Sequence, residues 1–320
     1  MSNPILNVTG LRVEFPMETG TVKAVDGVSF ELNQGEILGL VGESGCGKSM
    51  TALSLLRLIP APGRIAGGVV RWRERNLLEL PIAAMTSVRG KEIGMIFQDP
   101  LTSFNPVQKI GAQICEALEL HAICPHEAAR DRVIQALTKV GLPDPARQFD
   151  VFPHELSGGM RQRAMIAMAL ICNPQLLIAD EPTTALDVTI QAQILELLAD
   201  LQAQNKMSVL LITHNLGIVA ETADRVAVMY AGKIVESAPV SELFRNPLHP
   251  YTHGLLESIP RLDRSEALYA IPGSIPDPLS LPVGCYFAPR CTRSLDICHH
   301  QSPELRAHSP EHPVACWLYD

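Results

Sequence analysis

The octapeptide GESGCGKS, residues 42–49, is the most informative stretch of the chain. It fits the pattern G-x-x-x-x-G-K-[ST], in which glycines turn backbone N–H groups toward phosphate oxygens. The apolar run EILGLV, residues 36–41, precedes it and predicts a buried strand, whereas SMTALSLLRLI, residues 49–59, has helical spacing. A helix that begins at such a loop directs its positive end at the phosphates. The stretch therefore predicts a phosphate-binding loop in an α/β fold.

Individual residues of this loop have predicted tasks. Lys48 is expected to reach the β- and γ-phosphates, and the Ser49 hydroxyl to ligate Mg²⁺. A glycine-rich turn with an incidental lysine is the plain alternative, but a strand before and a helix after the loop favour phosphate binding. Backbone amides around Cys46 are expected to lower its pKa, so that alkylation of this thiol inhibits nucleotide hydrolysis. The predicted nucleotide-binding residues here are Gly42, Glu43, Ser44, Gly45, Cys46, Gly47, Lys48, Ser49 and Met50.

A second apolar run, LLIADEP at residues 176–182, ends in the carboxylates Asp180 and Glu181. One carboxylate at a strand end can hold Mg²⁺, and its neighbour can polarise the water that attacks the γ-phosphate. Such pairs are often only solvated strand ends, but a phosphate loop in the same chain reverses that preference. The guanine-specific element N-K-x-D is missing, since Asn205 and Lys206 are followed by Met207 and Ser208. We therefore expect adenine.

Outward from these motifs the chain alternates between strands and helices. Residues 5–15 and 22–32 alternate like antiparallel strands, and MSVLLITHN, residues 207–215, predicts another buried strand. The predicted fold class is α/β, with a mixed, mostly parallel sheet, antiparallel N-terminal strands and a helical subdomain at about residues 90–165. Prolines become frequent after residue 245. The predicted domains are a nucleotide-binding domain at 1–245 and a small Cys-rich C-terminal extension at 246–320.

Composition limits the classes of function. The 320 residues are 47% hydrophobic and 19% charged, and the formal net charge of −8 argues against a nucleic-acid partner. The apolar runs are strand-sized, and the N-terminus has no secretory pattern. These features favour a cytosolic chain in which disulfides are not expected. Three cysteines, Cys115, Cys124 and Cys172, are expected to be small apolar residues in helices.

The stretch LSGGMRQR, residues 156–163, adds a family resemblance. With the phosphate loop, FQDP, LLIADEPTTALD and LLITHN in this order, residues 5–240 closely resemble the ATP-binding cassette (ABC) ATPases. The resemblance implies that ATP is bound between two subunits, each supplying a phosphate loop to the other's signature. The usual signature continues with glutamine, and Met160 cannot donate the hydrogen bonds of that amide.

The resemblance also assigns roles to residues outside the phosphate loop. Glu181 becomes the general base, His214 the residue that contacts the γ-phosphate, and Gln98 a contact of Mg²⁺ or of the attacking water. Asp180 and Ser49 become ligands of Mg²⁺, and Phe15 the aromatic ring that stacks on adenine. The predicted signature and dimer contacts are Ser157, Gly158, Gly159 and Asp187.

The segment NPLHPYTHGLLESIP, residues 246–260, resembles the tail of ATP-binding subunits of dipeptide and oligopeptide importers. That subfamily implies a paralogous ATPase partner, two transmembrane permease subunits, an extracytoplasmic substrate-binding protein, and a peripheral position on the cytoplasmic face of the inner or plasma membrane. A related importer for nickel, opines or glutathione remains an alternative. A non-transport ABC ATPase is disfavoured because the chain has one cassette and a negative net charge.

Four cysteines lie in the last 36 residues with the spacing C-x5-C-x6-C-x17-C: Cys285, Cys291, Cys298 and Cys316. Four thiolates suit tetrahedral Zn²⁺ or an iron–sulfur cluster. The spacing alone does not choose between these two, and it also allows that the cysteines bind no metal. The absence of a C-x2-C pair disfavours zinc. The resemblance favours a 4Fe–4S cluster with a structural role, and His299 and His300 are weaker ligand candidates.

Overall fold

The computed structural model describes residues 4–184, 186–259 and 270–320, apart from the side chain of residue 101. The strands in chain order are β1 Pro4–Met17, β2 Gly20–Asn33, β3 Ile37–Val41, β4 Arg64–Trp72, β5 Arg75–Asn76, β6 Ile93–Ile96, β7 Leu176–Asp180, β8 Ser208–Thr213, β9 Arg225–Tyr230, β10 Lys233–Pro239, β11 Arg306–Ser309 and β12 His312–Val314. The helices are α1 Lys48–Leu55, α2 Ile82–Val88, α3 Pro100–Ser103, α4 Ile110–Leu120, α5 His126–Lys139, α6 Pro145–Gln148, α7 Gly158–Leu170, α8 Val188–Asn205, α9 Leu216–Thr222, α10 Val240–Arg245 and α11 Pro250–Glu257.

The chain divides into two units. One comprises Met1–Glu79 with Ile212–Asp320, and the other comprises Leu80–Leu211. Within the described ranges, no helix combines the length and the apolar composition needed to cross a membrane.

The first unit contains an antiparallel N-terminal sheet with the strand order β2-β1-β4-β5. Leu6 pairs with Leu32 and Val13 with Val25 across β1 and β2. All four side chains are buried, although the members of each strand are seven residues apart, because register shifts between the two pairs interrupt the two-residue alternation. The antiparallel strands predicted from the alternation are confirmed.

The same unit contains a mixed sheet in which β3 runs parallel to β9, whereas β9 and β10 are antiparallel. The core on these strands contains Val41, Val228 and Tyr230, together with Tyr251 and Phe287 from the C-terminal segment. The C-terminal segment therefore packs into the core of the strands that carry the phosphate loop.

The second unit combines the parallel strands β6 and β7 with helices α2 to α8. Helices α4 and α5 bury one apolar side each, with Ile114 and Val133 inaccessible to solvent, whereas α7 is buried on most of its surface from Ala164 to Ala167. The strand predicted at LLIAD is confirmed, and helix α8 lies between it and β8 in the sequence. Cys115 lies in α4 as expected, but Cys124 and Cys172 lie in turns, because α4 ends at Leu120 and α7 at Leu170.

Candidate active site

The phosphate loop leaves the carboxyl end of β3 and leads into α1, whose first residue is Lys48. Gly42 and Gly47 have φ of 153° and 106°, a region that favours glycine. A Cβ atom on Gly42 would lie 2.1 Å from the Met229 carbonyl oxygen, and one on Gly47 would lie 2.3 Å from the Ala24 carbonyl oxygen. Neighbouring backbone thus excludes every side chain at these two positions.

Lys48 is folded over the loop. Its Nζ donates to the carbonyl oxygens of Gly42 at 2.8 Å and Glu43 at 3.1 Å, and the side chain is buried. These two carbonyls hold the ammonium group at the loop, where its charge is available to a phosphate. The loop is tied in turn to the strands, since the Gly232 N–H donates to the Cys46 carbonyl oxygen at 2.8 Å.

The expected lowering of the Cys46 pKa was wrong, whereas inhibition by alkylation of this thiol stays a prediction. Its side chain is 1% exposed, and burial raises the pKa of the thiol above its ordinary value although Lys48 lies nearby. Desolvation of the thiolate outweighs the effect of the loop amides, and it follows from burial that a local sequence pattern does not show. A buried thiol with a raised pKa is inert at neutral pH.

Glu43 has partners that the sequence did not reveal. Its N–H donates to the Tyr251 hydroxyl at 2.9 Å, and both of its carboxylate oxygens accept from Arg290, at 2.8 and 3.1 Å. No local pattern announces these contacts, because Arg290 lies 247 residues further along the chain.

The second unit brings two predicted catalytic residues together. Gln98 Nε2 donates to Glu181 Oε2 at 3.1 Å, and the Thr184 hydroxyl donates to the same oxygen at 2.8 Å. Glu181 has a φ of 47°, which is uncommon for a residue with a side chain. Asp180 precedes it as the buried last residue of β7. Thr184 was missed by the sequence analysis; the only available signal was a hydroxyl three residues after a candidate base.

The signature segment begins α7 in the same unit. The hydroxyl of the N-cap Ser157 accepts from the Met160 N–H at 3.3 Å. Ser157 and Gly158 are exposed, and a Cβ atom on Gly159 would lie 3.0 Å from Ile190 Cγ2. The helix N-terminus is thus open to an anion, and the backbone of Met160 contributes to its cap whatever the side chain.

Asp187 caps α8 in the second unit. Its Oδ1 accepts from the Ile190 N–H at 3.0 Å, and the following Val188 is 83% exposed. An exposed apolar side chain beside a helix cap suits a contact surface.

Two further predicted residues lie in the first unit. His214 directly follows β8 and is exposed. Phe15, at the end of β1, is half-buried, and a Cβ atom on Gly63 would lie 2.4 Å from its Cε1. One part of the Phe15 ring therefore lies against the chain at Gly63, and its stacking on adenine stays a prediction.

The four C-terminal cysteines line one small cavity of about 10 Å³. Burial raises the pKa of Cys285 and Cys291, and it raises the pKa of Cys316 to about 11. Over the described ranges of the chain, no group of three or more His, Cys, Asp or Glu side chains is arranged to hold a metal ion. The thiols thus share a cavity without the geometry of a metal site, and the Cys-rich extension predicted as a metal module is not supported as one.

Taken together, the glycine loop between strand and helix and the carboxylates at the end of β7 define a P-loop nucleotide hydrolase. The sequence family described as "ABC transporter" matches residues 25–184, and "Oligopeptide/dipeptide transporter, C-terminal region" matches residues 235–298. The dipeptide transport ATP-binding protein DppD of Bacillus subtilis is 50% identical, with 99% of this chain and 95% of DppD covered. The chain belongs to the ABC transporter family, as an ATPase of the peptide-transporter type, which confirms the resemblance seen in the sequence.

Other comparisons agree with this assignment. The probable peptide ABC transporter ATP-binding protein y4tR of Sinorhizobium fredii is 51% identical, with 99% of this chain and 96% of y4tR covered. The solved structure titled "Dimeric Structure of MJ0796, a Bacterial ABC Transporter Cassette" superposes with a TM-score of 0.66 at 25% identity, covering 73% of this chain and 98% of that one. The P-loop ABC fold with mixed sheets is therefore confirmed.

Proposed function

We propose that this chain binds and hydrolyses ATP at the interface of an ATPase dimer and so drives the import of di- or oligopeptides through partner membrane subunits. The observation that carries the catalytic part is the carboxylate of Glu181, which is held by Gln98 and Thr184 directly after β7. A carboxylate held in one orientation is suited to polarise an attacking water.

Each step of ATP binding and hydrolysis is assigned to side chains and backbone groups of this chain. Lys48 and the loop amides bind the phosphates, while Ser49 and Asp180 supply oxygen ligands for Mg²⁺. Bound Mg²⁺ would neutralise charge that develops on the phosphates. Glu181 accepts a proton from water, Gln98 orients Glu181, and His214 contacts the γ-phosphate.

The proposed dimer is supported by the exposure of the signature residues and of the residues at the start of α8. Ser157, Gly158, Asp187 and Val188 all present accessible surface, as a composite site requires. The related cassette MJ0796 is described as dimeric. We infer that a paralogous ATPase provides the opposite signature, and that the pair sits on the cytoplasmic face of the membrane beneath two permease subunits fed by a substrate-binding protein.

Peptides are proposed because the relatives over nearly the whole chain are named for dipeptide, oligopeptide or peptide transport. The test is uptake of a labelled dipeptide into vesicles that contain this chain, its partner ATPase and the two partner permease subunits. ATP-dependent uptake that is lost in Glu181→Gln supports the proposal. Uptake of nickel, an opine or glutathione, but not of peptides, would assign the alternative cargo.

We also propose that the four cysteines hold a 4Fe–4S cluster, with Zn²⁺ as the alternative. The support is that Cys285, Cys291, Cys298 and Cys316 line the same cavity, and that four thiolates form a suitable donor set. Bound metal would add stability to a segment with little regular structure. Iron, sulfide and zinc analysis of anaerobically purified protein decides between them, and a folded, active, metal-free protein would contradict both.

A further inference from the structure

The phosphate loop and the C-terminal segment meet at Glu43 in the first unit. Arg290 Nη1 and Nη2 donate to the two carboxylate oxygens of Glu43 at 2.8 and 3.1 Å. The side chain of Arg290 is 4% exposed and that of Glu43 is 29% exposed. A two-pronged ion pair that is largely shielded from water fixes both partners more firmly than a surface pair does.

Arg290 is itself held by its own segment. Its Nε donates to the Pro272 carbonyl oxygen at 2.9 Å, and its guanidinium group lies over the ring of Phe287 at 6.0 Å. A tight 3₁₀ turn, Ala288–Arg290, carries the arginine and is followed immediately by Cys291. The orientation of the guanidinium group therefore depends on the order of the cysteine-bearing segment.

A second contact holds the backbone of the same loop residue. The hydroxyl of Tyr251 accepts from the Glu43 N–H at 2.9 Å. Tyr251 is fully buried and packs edge-on against Tyr230, with ring centroids 4.6 Å apart. Both the side chain and the backbone of Glu43 are thus fixed by residues of the C-terminal segment.

Glu43 also contacts Lys48, the residue that is expected to bind the phosphates of ATP. The carbonyl oxygens of Glu43 and Gly42 are the two oxygens that hold Lys48 Nζ. Displacement of Glu43 would therefore move the ammonium group that is expected to reach the phosphates.

We propose that Arg290 is a positioning residue for the ATP site: by fixing Glu43 it sets the place of Lys48 and couples the order of the four-cysteine segment to ATP affinity. Arg290 does not touch the nucleotide in this account. A change in the order of the segment around Cys291 reaches the side chain of Glu43 through this ion pair. The inference goes beyond the proposed transport function and needs only that the loop binds ATP.

The test is a double-mutant cycle in the full-length chain, with the dissociation constant of ATP measured by calorimetry. Arg290→Met and Glu43→Gln should each weaken ATP binding about tenfold, within the usual range of coupling between sites. The double variant should be no weaker than either single variant, because both remove the same interaction. Arg306→Met removes an exposed pairing with Glu304 and Asp320 and serves as the matched control with unchanged affinity. Folded single variants that bind ATP as the wild type does, or effects that add in the double variant, would overturn the proposal.

A second readout does not depend on ATP. Cys46 is 1% exposed in the loop that Glu43 anchors, so its alkylation rate reports on the order of that loop. We expect faster alkylation of Cys46 in Arg290→Met and Glu43→Gln but not in Arg306→Met. If Arg290→Met does not fold, Glu43→Gln and Arg290→Lys carry both measurements, since Arg290→Lys keeps the charge but loses the two-pronged geometry. A wild-type chain that binds no ATP would refute the proposed function. The alkylation rates of Cys46 would still test the coupling between Arg290 and the phosphate loop, and equal rates in the wild type and the variants would contradict that coupling.

Discussion

Gln98 donates a hydrogen bond to the carboxylate of Glu181, with Nε2 and Oε2 3.1 Å apart. The two residues are separated by 83 positions in the sequence. The contact orients the proposed base through a residue of a different motif, and it defines what each motif should contribute to hydrolysis.

Removal of the Gln98 side chain should affect hydrolysis more than binding. In Gln98→Ala, Glu181 Oε2 loses the hydrogen bond from Gln98 and retains the one from the Thr184 hydroxyl, and the loss of one hydrogen bond to a charged group is worth about 1.5–3 kcal/mol. We expect kcat for ATP to fall at least about tenfold. The dissociation constant of ATP should change little. Steady-state hydrolysis and calorimetry separate the two quantities.

The control for this variant is Gln108→Ala, which removes an exposed glutamine of the same unit. If Gln98→Ala weakened ATP binding as strongly as it slowed hydrolysis, Gln98 would be a binding residue and not an orienting one.

Gly42→Ala should disrupt the phosphate loop. The new Cβ atom would lie 2.1 Å from the Met229 carbonyl oxygen, so the backbone has to move. Forced overpacking of this kind costs about 1–3 kcal/mol of the free energy of unfolding, and the displaced loop should lose ATP binding. Thermal unfolding with and without ATP measures both effects.

Gly67→Ala is the matched control, because nothing lies within 4 Å of its added Cβ atom. Equal behaviour of the two variants would contradict the described geometry of the loop.

His249 should make the stability of the chain depend on pH. Burial lowers its pKa to about 3 from an ordinary 6.5, so the unfolded chain binds the proton more readily than the folded one. The stabilisation that comes from keeping His249 neutral is therefore complete above pH 6.5. It is lost progressively as the pH falls toward 3, and the free energy of unfolding decreases by up to about 1.4 kcal/mol per pH unit.

His249→Asn should flatten this dependence, measured as urea unfolding between pH 6.5 and 4. Asparagine still offers an acceptor to the Tyr251 N–H, the bond that His249 Nδ1 now accepts at the start of α11. An unchanged pH profile in this variant would show that other groups control the acid stability.

Cys46 should be a slow target of thiol reagents. Its pKa is raised by burial, so the fraction of thiolate at pH 7 is lower than for an ordinary cysteine. We expect maleimide to label the half-buried Cys124 before Cys46, as followed by peptide mass mapping in the absence of ATP. Labelling of Cys46 before Cys124 would contradict this prediction and would support the reactive thiol expected from the sequence.

What the sequence predicted correctly is local. The loop at residues 42–49, the strand before it and the carboxylates after β7 lie in short patterns whose physics depends on adjacent residues. The antiparallel pairing of β1 and β2 also follows from a two-residue period.

What the sequence did not reveal depends on distant packing. Arg290 reaches Glu43 across 247 residues, and its neighbour Cys291 attracted attention only as a metal ligand. The desolvation of Cys46 and His249 likewise comes from tertiary burial, which for Cys46 reverses the direction of the pKa shift expected from the loop amides. The turns that contain Cys124 and Cys172 lie beyond helix ends that no strong cap marks in the sequence.

Single-turnover hydrolysis by Glu181→Gln, followed together with sedimentation in the presence of ATP and the partner ATPase, tests whether Glu181 is the base of a two-subunit ATPase. We expect hydrolysis slowed about 10²–10⁴-fold, with ATP binding retained and an ATP-dependent dimer trapped. Hydrolysis at the wild-type rate, or tight ATP binding with no dimer, would contradict it.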